Sequence, residues 1–396
     1  MKNLSLKNKQ LAFAILVACA GQASAADYWF KTFSLPADGV ASARAINDAG
    51  LALVTIIGGG QGGSEQVTTY QATTWNGAAY TYLDNAGQTY SSAGHINNQG
   101  TITGWTGNWT YELDWGRVLA TKQVIWTAGT ATVLPQLGAT VSHYYSDSLY
   151  FGSSVGGINN AGVIVGGSST SDGVHAVKWV NNTLIDMGKA GGTDAAATAI
   201  NENGAIVGAA KSTSGHSTAI LWENGNVIDL GAQAGFTTNS GTYDINNSGT
   251  ILGWQQALTG YNRIPTIWQN GVATQLATLG YGDAGASAIN DAGAVVGYSL
   301  AANGAYHAVM WSNGKVIDLN DYLDPGLRAD GWVMTSSSDI NNRGDIVGNM
   351  VNSRLGKSTA YMLTVATVPE PETYAMMLSG VGLLAFVARR RKGRRS

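Results

Sequence analysis

The residues best suited to chemistry in this 396-residue chain are carboxylates in short polar turns, five histidines and a concentration of aromatic side chains. The hexapeptide Ala-Ile-Asn-Asp-Ala-Gly occurs twice, at 45–50 and 288–293. An aspartate held in such a turn can ligate a hard cation or act as a general acid, which makes Asp48 and Asp291 the first candidates. The histidines give no second candidate: His95 and His143 have no partner at metal-ligand spacing, and His175, His216 and His307 read as a repeat feature. The sequence also has no His-Glu-x-x-His, phosphate loop or Asp-rich calcium loop.

Comparing the turns with one another removes the carboxylate from contention. Ile-Asn-x-x-Gly recurs at Ile46, Ile96, Ile158, Ile200, Ile245, Ile289 and Ile340, with spacings of 50, 62, 42, 45, 44 and 51 residues. Where the first copy has Asp48, the others have Asn98, Asn160, Glu202, Asn247, Asp291 and Asn342. The positions that do not vary among the copies are the first Asn and the Gly three residues later. Asn at the first place and Gly at the fourth suit a type I turn followed by a residue of positive φ, so the motif reads as a structural joint with a replaceable acid.

Each joint lies in the same context, clearest at 199–231, AINENGAIVGAAKSTSGHSTAILWENGNVIDLG. A strand ending in Ile-Asn turns into Gly-x-Ile-Val-Gly, a loop leads to a strand ending in Trp, and an Asn-Gly turn returns a strand ending in Asp-Leu-Gly. Four short hairpin-linked strands repeating every 40 to 60 residues are the content of a propeller blade. Trp75, Trp126, Trp179, Trp222, Trp268 and Trp311 occupy the tryptophan place, and Leu363 takes it in the last copy. A large aromatic at one strand position of every blade reads as inter-blade packing.

Fourth strands are expected near Leu83, Leu137, Met187, Leu230, Leu279 and Leu319, and the seventh is missing after Leu363. Residues 28–39, YWFKTFSLPADG, precede the first joint as the other fourth strands precede theirs. The expectation is therefore an all-β, seven-bladed β-propeller with four short strands per blade, in which an N-terminal strand closes the last blade and protects the sheet edges.

Binding is expected where the repeat departs from its own rule. The longest interval holds two aromatic insertions, at 104–116 and 143–152, with Trp109, Tyr111 and Trp115 in the first and Tyr144, Tyr145 and Tyr150 in the second. Aromatic faces flanked by Asn, Asp and Glu can stack on sugar rings and bond their hydroxyls, so these six are the candidate ligand-binding residues. The competing role is to cover the propeller or pack on one another.

The two ends differ from the rest. Lys2, Lys7 and Lys9, an apolar run over 11–20 and Ala23-Ser24-Ala25 make residues 1–25 a secretory signal peptide, with lipidation at Cys19 as the second-ranked processing. At the other end, residues 373–388 carry no charge and would span about 24 Å as a helix, a short crossing of a hydrocarbon core of about 30 Å. Arg389, Arg390 and Arg391 open a basic block that stays cytoplasmic and leaves the preceding chain outside.

Pro369-Glu370-Pro371, this C-terminal transmembrane helix and the arginine block together resemble the PEP-CTERM sorting signal of Gram-negative bacteria, placing that signal at 369–396. The resemblance implies cleavage by an exosortase-type transpeptidase in an organism that makes exopolysaccharide. Transient anchoring in the inner membrane would precede a cell-surface or extracellular destination. The repeats at 26–368 resemble the HAF family, named for His-Ala-Phe: here Val174-His175-Ala176-Val177 and Tyr306-His307-Ala308-Val309, with only the outline at 215–219. That resemblance implies a secreted repeat protein and brings no reaction with it.

Nine of the 22 basic residues and two of the 25 acidic ones lie in the ends, so the repeat region carries 13 against 23, a net charge of −10. An acidic surface disfavours nucleic acid. With Cys19 in the leader, the exported part has no disulfide to draw on. The reading is a non-enzymatic binding or structural propeller for polysaccharide or surface proteins, with no cofactor, no metal and no catalytic residue. A secreted glycan-active hydrolase or lyase with acids in the channel is the alternative.

Overall fold

The computed structural model describes residues 28–33, 39–60, 67–112, 116–138, 153–258 and 262–366. Residues 30–364 form one compact unit. It contains seven four-stranded antiparallel sheets, each built from consecutive hairpins except the last. We number them as blades 1 to 7 in the order of their inner strands: Gly39–Ile46, Tyr90–Ile96, Ser154–Ile158, Asp194–Ile200, Ser240–Ile245, Ala284–Ile289 and Trp332–Ile340. Blade 7 runs Trp332–Ile340, Ile346–Asn352, Lys357–Val365, and its outer strand is Tyr28–Thr32 from the start of the chain. The propeller is thus seven-bladed and fastened by its N-terminal strand.

Ring closure is visible at the seam between blades 7 and 1. Ala43, Val54 and Trp75 of blade 1 share a core with Val347, Ala360 and Met362 of blade 7. Across it, Asn349 Oδ1 accepts the Ala43 amide at 3.1 Å. Phe33, just past the closing strand, lies 4.2 Å from the Trp75 ring, centroid to centroid.

That pairing is the general joint between blades. Strand-three tryptophans are buried against the chain leaving the preceding blade, and three clasp it through the indole N–H: Trp126 to Asp84 O at 2.5 Å, Trp179 to Pro135 O at 2.8 Å and Trp311 to Ala277 O at 2.6 Å. The register places Leu134 and Leu276, not Leu137 and Leu279, at the positions equivalent to Leu83 and Leu230. Leu134 packs on Trp179, whereas the amides of Leu137 and Leu279 donate to the hydroxyls of Ser168 and Ser299 in the next blade. The Leu-Gly signature therefore marks the exit loop in those two blades rather than the buried strand end.

Every blade has a register shift in its inner strand two or three residues before the joint, such as Ala197/Ala199 in blade 4. The shift drives an inner-strand carbonyl toward strand two, and this explains the final Gly of Gly-x-Ile-Val-Gly. A Cβ on Gly208 would lie 2.1 Å from Ala196 O and 2.9 Å from the Trp222 ring. Blade 1 accommodates Val54 at the equivalent place.

Candidate functional site

The seven joints meet at one end of the central channel, and there the amide of each conserved asparagine reaches the next blade. Asn47 Nδ2 donates to Asn97 O, Asn97 to Asn159 O, Asn159 to Asn201 O and Asn201 to Asn246 O, at 3.2, 3.0, 3.3 and 3.1 Å. Asn246 continues to Asn290 O, Asn290 to Asn341 O, and Asn341 returns to Asn47 O, at 3.0, 3.1 and 3.0 Å. The circle is complete and buried. Within each joint the same side chain also holds its own turn, as where Asn47 Oδ1 accepts the Leu51 amide at 2.9 Å beside Gly50 at φ +82°.

A second circle runs through the variable residue. The Asp48 amide donates to Asn98 Oδ1, Asn98 to Asn160 Oδ1, Asn160 to the Glu202 carboxylate and Glu202 to Asn247 Oδ1, at 2.8 to 3.0 Å. Asn247, Asp291 and Asn342 close it onto Asp291, Asn342 and Asp48 at 2.9, 2.9 and 2.8 Å. The position read as freely replaceable is thus restricted to Asp, Asn or Glu, because each needs a side-chain oxygen for the neighbouring backbone. Together the rings enclose a cavity of ≈ 160 Å³. Among the described residues no cluster of three or more His, Cys, Asp or Glu is placed to hold a metal ion.

Further along the inner strands lies a cavity of ≈ 200 Å³ lined by Arg44, His95, Tyr243, Asp244 and Asp339, among others. The two carboxyls are tied to backbone. Asp339 accepts the amides of Ile46 and Ile340, each at 2.8 Å, and Asp244 those of Ile289 at 3.0 Å and Ile245 at 2.8 Å. Burial pushes both up, Asp339 to about 7 and Asp244 to about 6, against the pull of the bonded amides. Burial also holds the His95 imidazole down to about 4, leaving it neutral at pH 7 with one donor and one acceptor.

Toward the starts of the inner strands the channel opens into two adjoining cavities that share Ser154 and Val155. One, of ≈ 390 Å³, includes His95, Tyr243, Trp254 and Arg263. Its Arg263 guanidinium stacks over Trp254 at 4.3 Å. The other, of ≈ 310 Å³, includes Arg44, Trp105, Thr121 and Gln123. These channel residues vary from blade to blade: Arg44 stands where other inner strands carry Gly, Thr, Tyr or Ser, while Trp105 and Trp254 share one place in strand two with Tyr298.

Trp109 and Tyr111, expected in an inserted loop, are instead on a strand. Ile102–Glu112 and Gly116–Thr127 are the longest hairpin arms, paired from Ile102↔Trp126 through Trp109↔Leu119 and Tyr111↔Arg117 to Glu112↔Gly116. Two-residue alternation places positions 105, 107, 109 and 111 on one side of this ribbon. Trp115, Tyr144, Tyr145 and Tyr150 lie outside the described residues, as do the leader at 1–25, Pro369, Glu370, Pro371, Arg389, Arg390 and Arg391. So does the expected C-terminal helix; among the described residues no helix is long and apolar enough to cross a membrane.

The repeat histidines divide differently from the sequence reading. His175 Nδ1 pairs with Asp186 at 2.9 Å and His307 Nδ1 with Asp318 at 2.6 Å, tying strand three to strand four. In blade 4 the equivalent residue is Thr218, which donates to Asp229 at 2.5 Å. His216 lies two residues earlier, exposed in the hairpin turn.

The C-terminus carries a PEP-CTERM protein-sorting motif. It matches residues 367–392, and it implies an exported protein that is anchored in the membrane for sorting and processed by exosortase. No curated protein matches the chain. Among solved structures, the β-propeller domain of the Trilobed protease from Pyrococcus furiosus, described as having an open velcro topology, is 11% identical with a TM-score of 0.53. The alignment covers 85% of this chain and 98% of that one. Weaker likenesses include the acylaminoacyl peptidase of Pyrococcus horikoshii, at 10% identity and TM-score 0.48 over 85% of this chain and 54% of that one. The Aleuria aurantia lectin in complex with alpha-methyl-L-fucoside is 13% identical with a TM-score of 0.36, over 72% of this chain and 95% of that one. At these identities the likeness is one of fold.

Proposed function

We propose that this chain is a cell-surface or extracellular-matrix protein whose propeller is a non-enzymatic binding module for exopolysaccharide. The observation that carries the reading is the ribbon of blade 2, whose second and third strands are the longest among the described residues and whose positions 105, 109 and 111, all aromatic, share one alternation of the strand. Trp105 lines a channel cavity, which puts the base of the ribbon at the channel mouth. Rigid aromatic surface beside hydroxyl and amide groups suits sugar rings. The sorting motif supports a surface destination, and the His-Ala pairs at 175–176 and 307–308 fit a HAF-like repeat protein. Surface proteins are the other class of partner this module would serve.

The non-enzymatic part rests on how the channel acids are used. Both oxygens of Asp244 and of Asp339 accept backbone amides, an assignment that holds inner strands together. The raised carboxyls favour the alternative of a glycan-active enzyme, since a carboxyl near 7 is suited to acid catalysis. A glycan screen of the exported protein, with and without Trp109→Ala and Trp115→Ala, tests the proposal: capture of matrix polysaccharide that the substitutions abolish is expected. Release of reducing ends from that polysaccharide would transfer the function to the enzyme reading. Mass spectrometry of surface material should show loss of the C-terminal block, and an intact Arg395 would sink the sorting claim.

A further inference from the structure

We propose that the channel mouth between blades 1, 2 and 3 is a site for an anionic saccharide, in which Arg44 holds the carboxylate or sulfate and Trp105 stacks on the ring that bears it. The proposal rests on the binding-module reading and adds to it the charge class of the ligand and the residue that selects it.

Arg44 is exposed into the channel, and among the described residues it takes part in no ion pair and donates no side-chain hydrogen bond. A guanidinium offers five N–H donors in a plane that matches a carboxylate or sulfate in bidentate fashion. The repeat region around it carries a net charge of −10, so a cationic cavity stands out against its surroundings. The cavity it enters, ≈ 310 Å³, is lined by no Asp or Glu among the described residues, and neither is the adjoining ≈ 390 Å³ cavity, where Arg263 supplies a second cation. A site with cations and no carboxylate, inside an acidic protein, selects an anion.

The remaining lining specifies what kind of anion. Trp105 is half-buried, and its indole N–H has no acceptor among the described residues. Thr121 lines the same cavity beside Ser92 and Ser154, hydroxyls that both donate and accept. Next door are His95, neutral at pH 7, and Tyr243, neither of which has a side-chain partner among the described residues. Aromatic face, hydroxyls and a single cation on one wall are the requirements of a sugar ring carrying one acidic substituent. The size falls within the roughly 300–1,000 Å³ of ligand pockets, enough for one or two sugar units of a longer chain.

The charged groups at the neighbouring level are Asp244 and Asp339, and their oxygens are engaged by amides rather than by Arg44. Arg44 is therefore not a structural counter-ion. Replacing it removes no contact on which the fold depends, so loss of binding in Arg44→Gln is readable as loss of ligand recognition.

The test is titration calorimetry on the full-length protein in detergent, with an oligouronate, the same oligosaccharide after carboxyl reduction, and a sulfated neutral oligosaccharide. Expected are binding of the oligouronate or the sulfated chain, loss on carboxyl reduction, and a rise in Kd of roughly 10- to 100-fold in Arg44→Gln. Arg44→Lys should recover part of the loss, and Trp105→Ala should weaken binding of the same ligand. The stronger of the two acidic ligands names the acidic group. Equal binding of the reduced and unreduced chains, or binding unaffected by Arg44→Gln, overturns the proposal while leaving the binding-module reading standing. Failure of every saccharide to bind overturns both.

Discussion

Replacing Asn201 by Ala interrupts the inner ring at one of its seven members. Asn201 is 5% exposed, donates to Asn246 O at 3.1 Å, and accepts the amides of Asn203 at 3.1 Å and Ala205 at 2.9 Å. Truncation removes these bonds and leaves the buried Ala205 amide without a partner, while the Asn246 carbonyl keeps only the Gly249 amide of its own turn. Taking about 1 kcal/mol per lost bond and about 1 kcal/mol more for the stranded amide, the expected cost is roughly 4 kcal/mol. For a unit of this size that lowers Tm by about 6 °C. Glu202→Gln, next in sequence, keeps the oxygen that accepts the Asn160 amide and should lie within about 0.5 kcal/mol of the parent. Differential scanning calorimetry of the pair makes the comparison. An Asn201→Ala protein that melts within 1 °C of the parent would refute the claim that the ring holds the blades, as would a Glu202→Gln protein that melts far below it.

The raised Asp339 and Asp244 carboxyls bind protons more tightly in the folded state than unfolded, so their contribution is full below about pH 4 and is lost as pH rises through about 6 to 7. Asp339→Asn should flatten that fall, which is at most roughly 4 kcal/mol for this group, and an unchanged slope of Tm against pH would show that the carboxyl is not buried in solution. Gly208→Ala should prevent blade 4 from closing or cost several kcal/mol, because the new Cβ meets a backbone carbonyl at 2.1 Å; near-parental stability by urea unfolding contradicts the tight register shift. Trp179→Phe should cost about 1 kcal/mol more than Trp268→Phe, since the first indole N–H donates to Pro135 O and the second has no acceptor, a difference that thermal melts of the two variants would expose.

Much of the architecture was legible from spacing. Asn and Gly at fixed places in seven turns reflect local backbone demands, so they survive as a visible pattern, and the surplus strand at Tyr28–Thr32 follows from counting. The differences concern which residue takes a given place in the ladder. Leu137 and Leu279 carry the expected letters, but strand pairing gives the strand-end place to Leu134 and Leu276, three residues earlier, and Leu279 packs from the exit loop against the same core as Leu276. His216 was grouped with His175 and His307 by resemblance, whereas the ladder gives its place to Thr218.

By itself the sequence determined the blade count, the manner of closure and the sorting signal, because each depends on residues that are near one another in the chain or on repetition. The tertiary structure alone decided what the middle residue of Ile-Asn-Asp-Ala-Gly is for: its acceptor serves a backbone amide one blade away, 42 to 62 residues apart within the chain and 294 across the seam. It also decided that Arg44 and Trp105, from different blades, share a cavity. Such groupings arise when the ring closes, and no local pattern records them, since a single channel-lining side chain carries no repeat and no period.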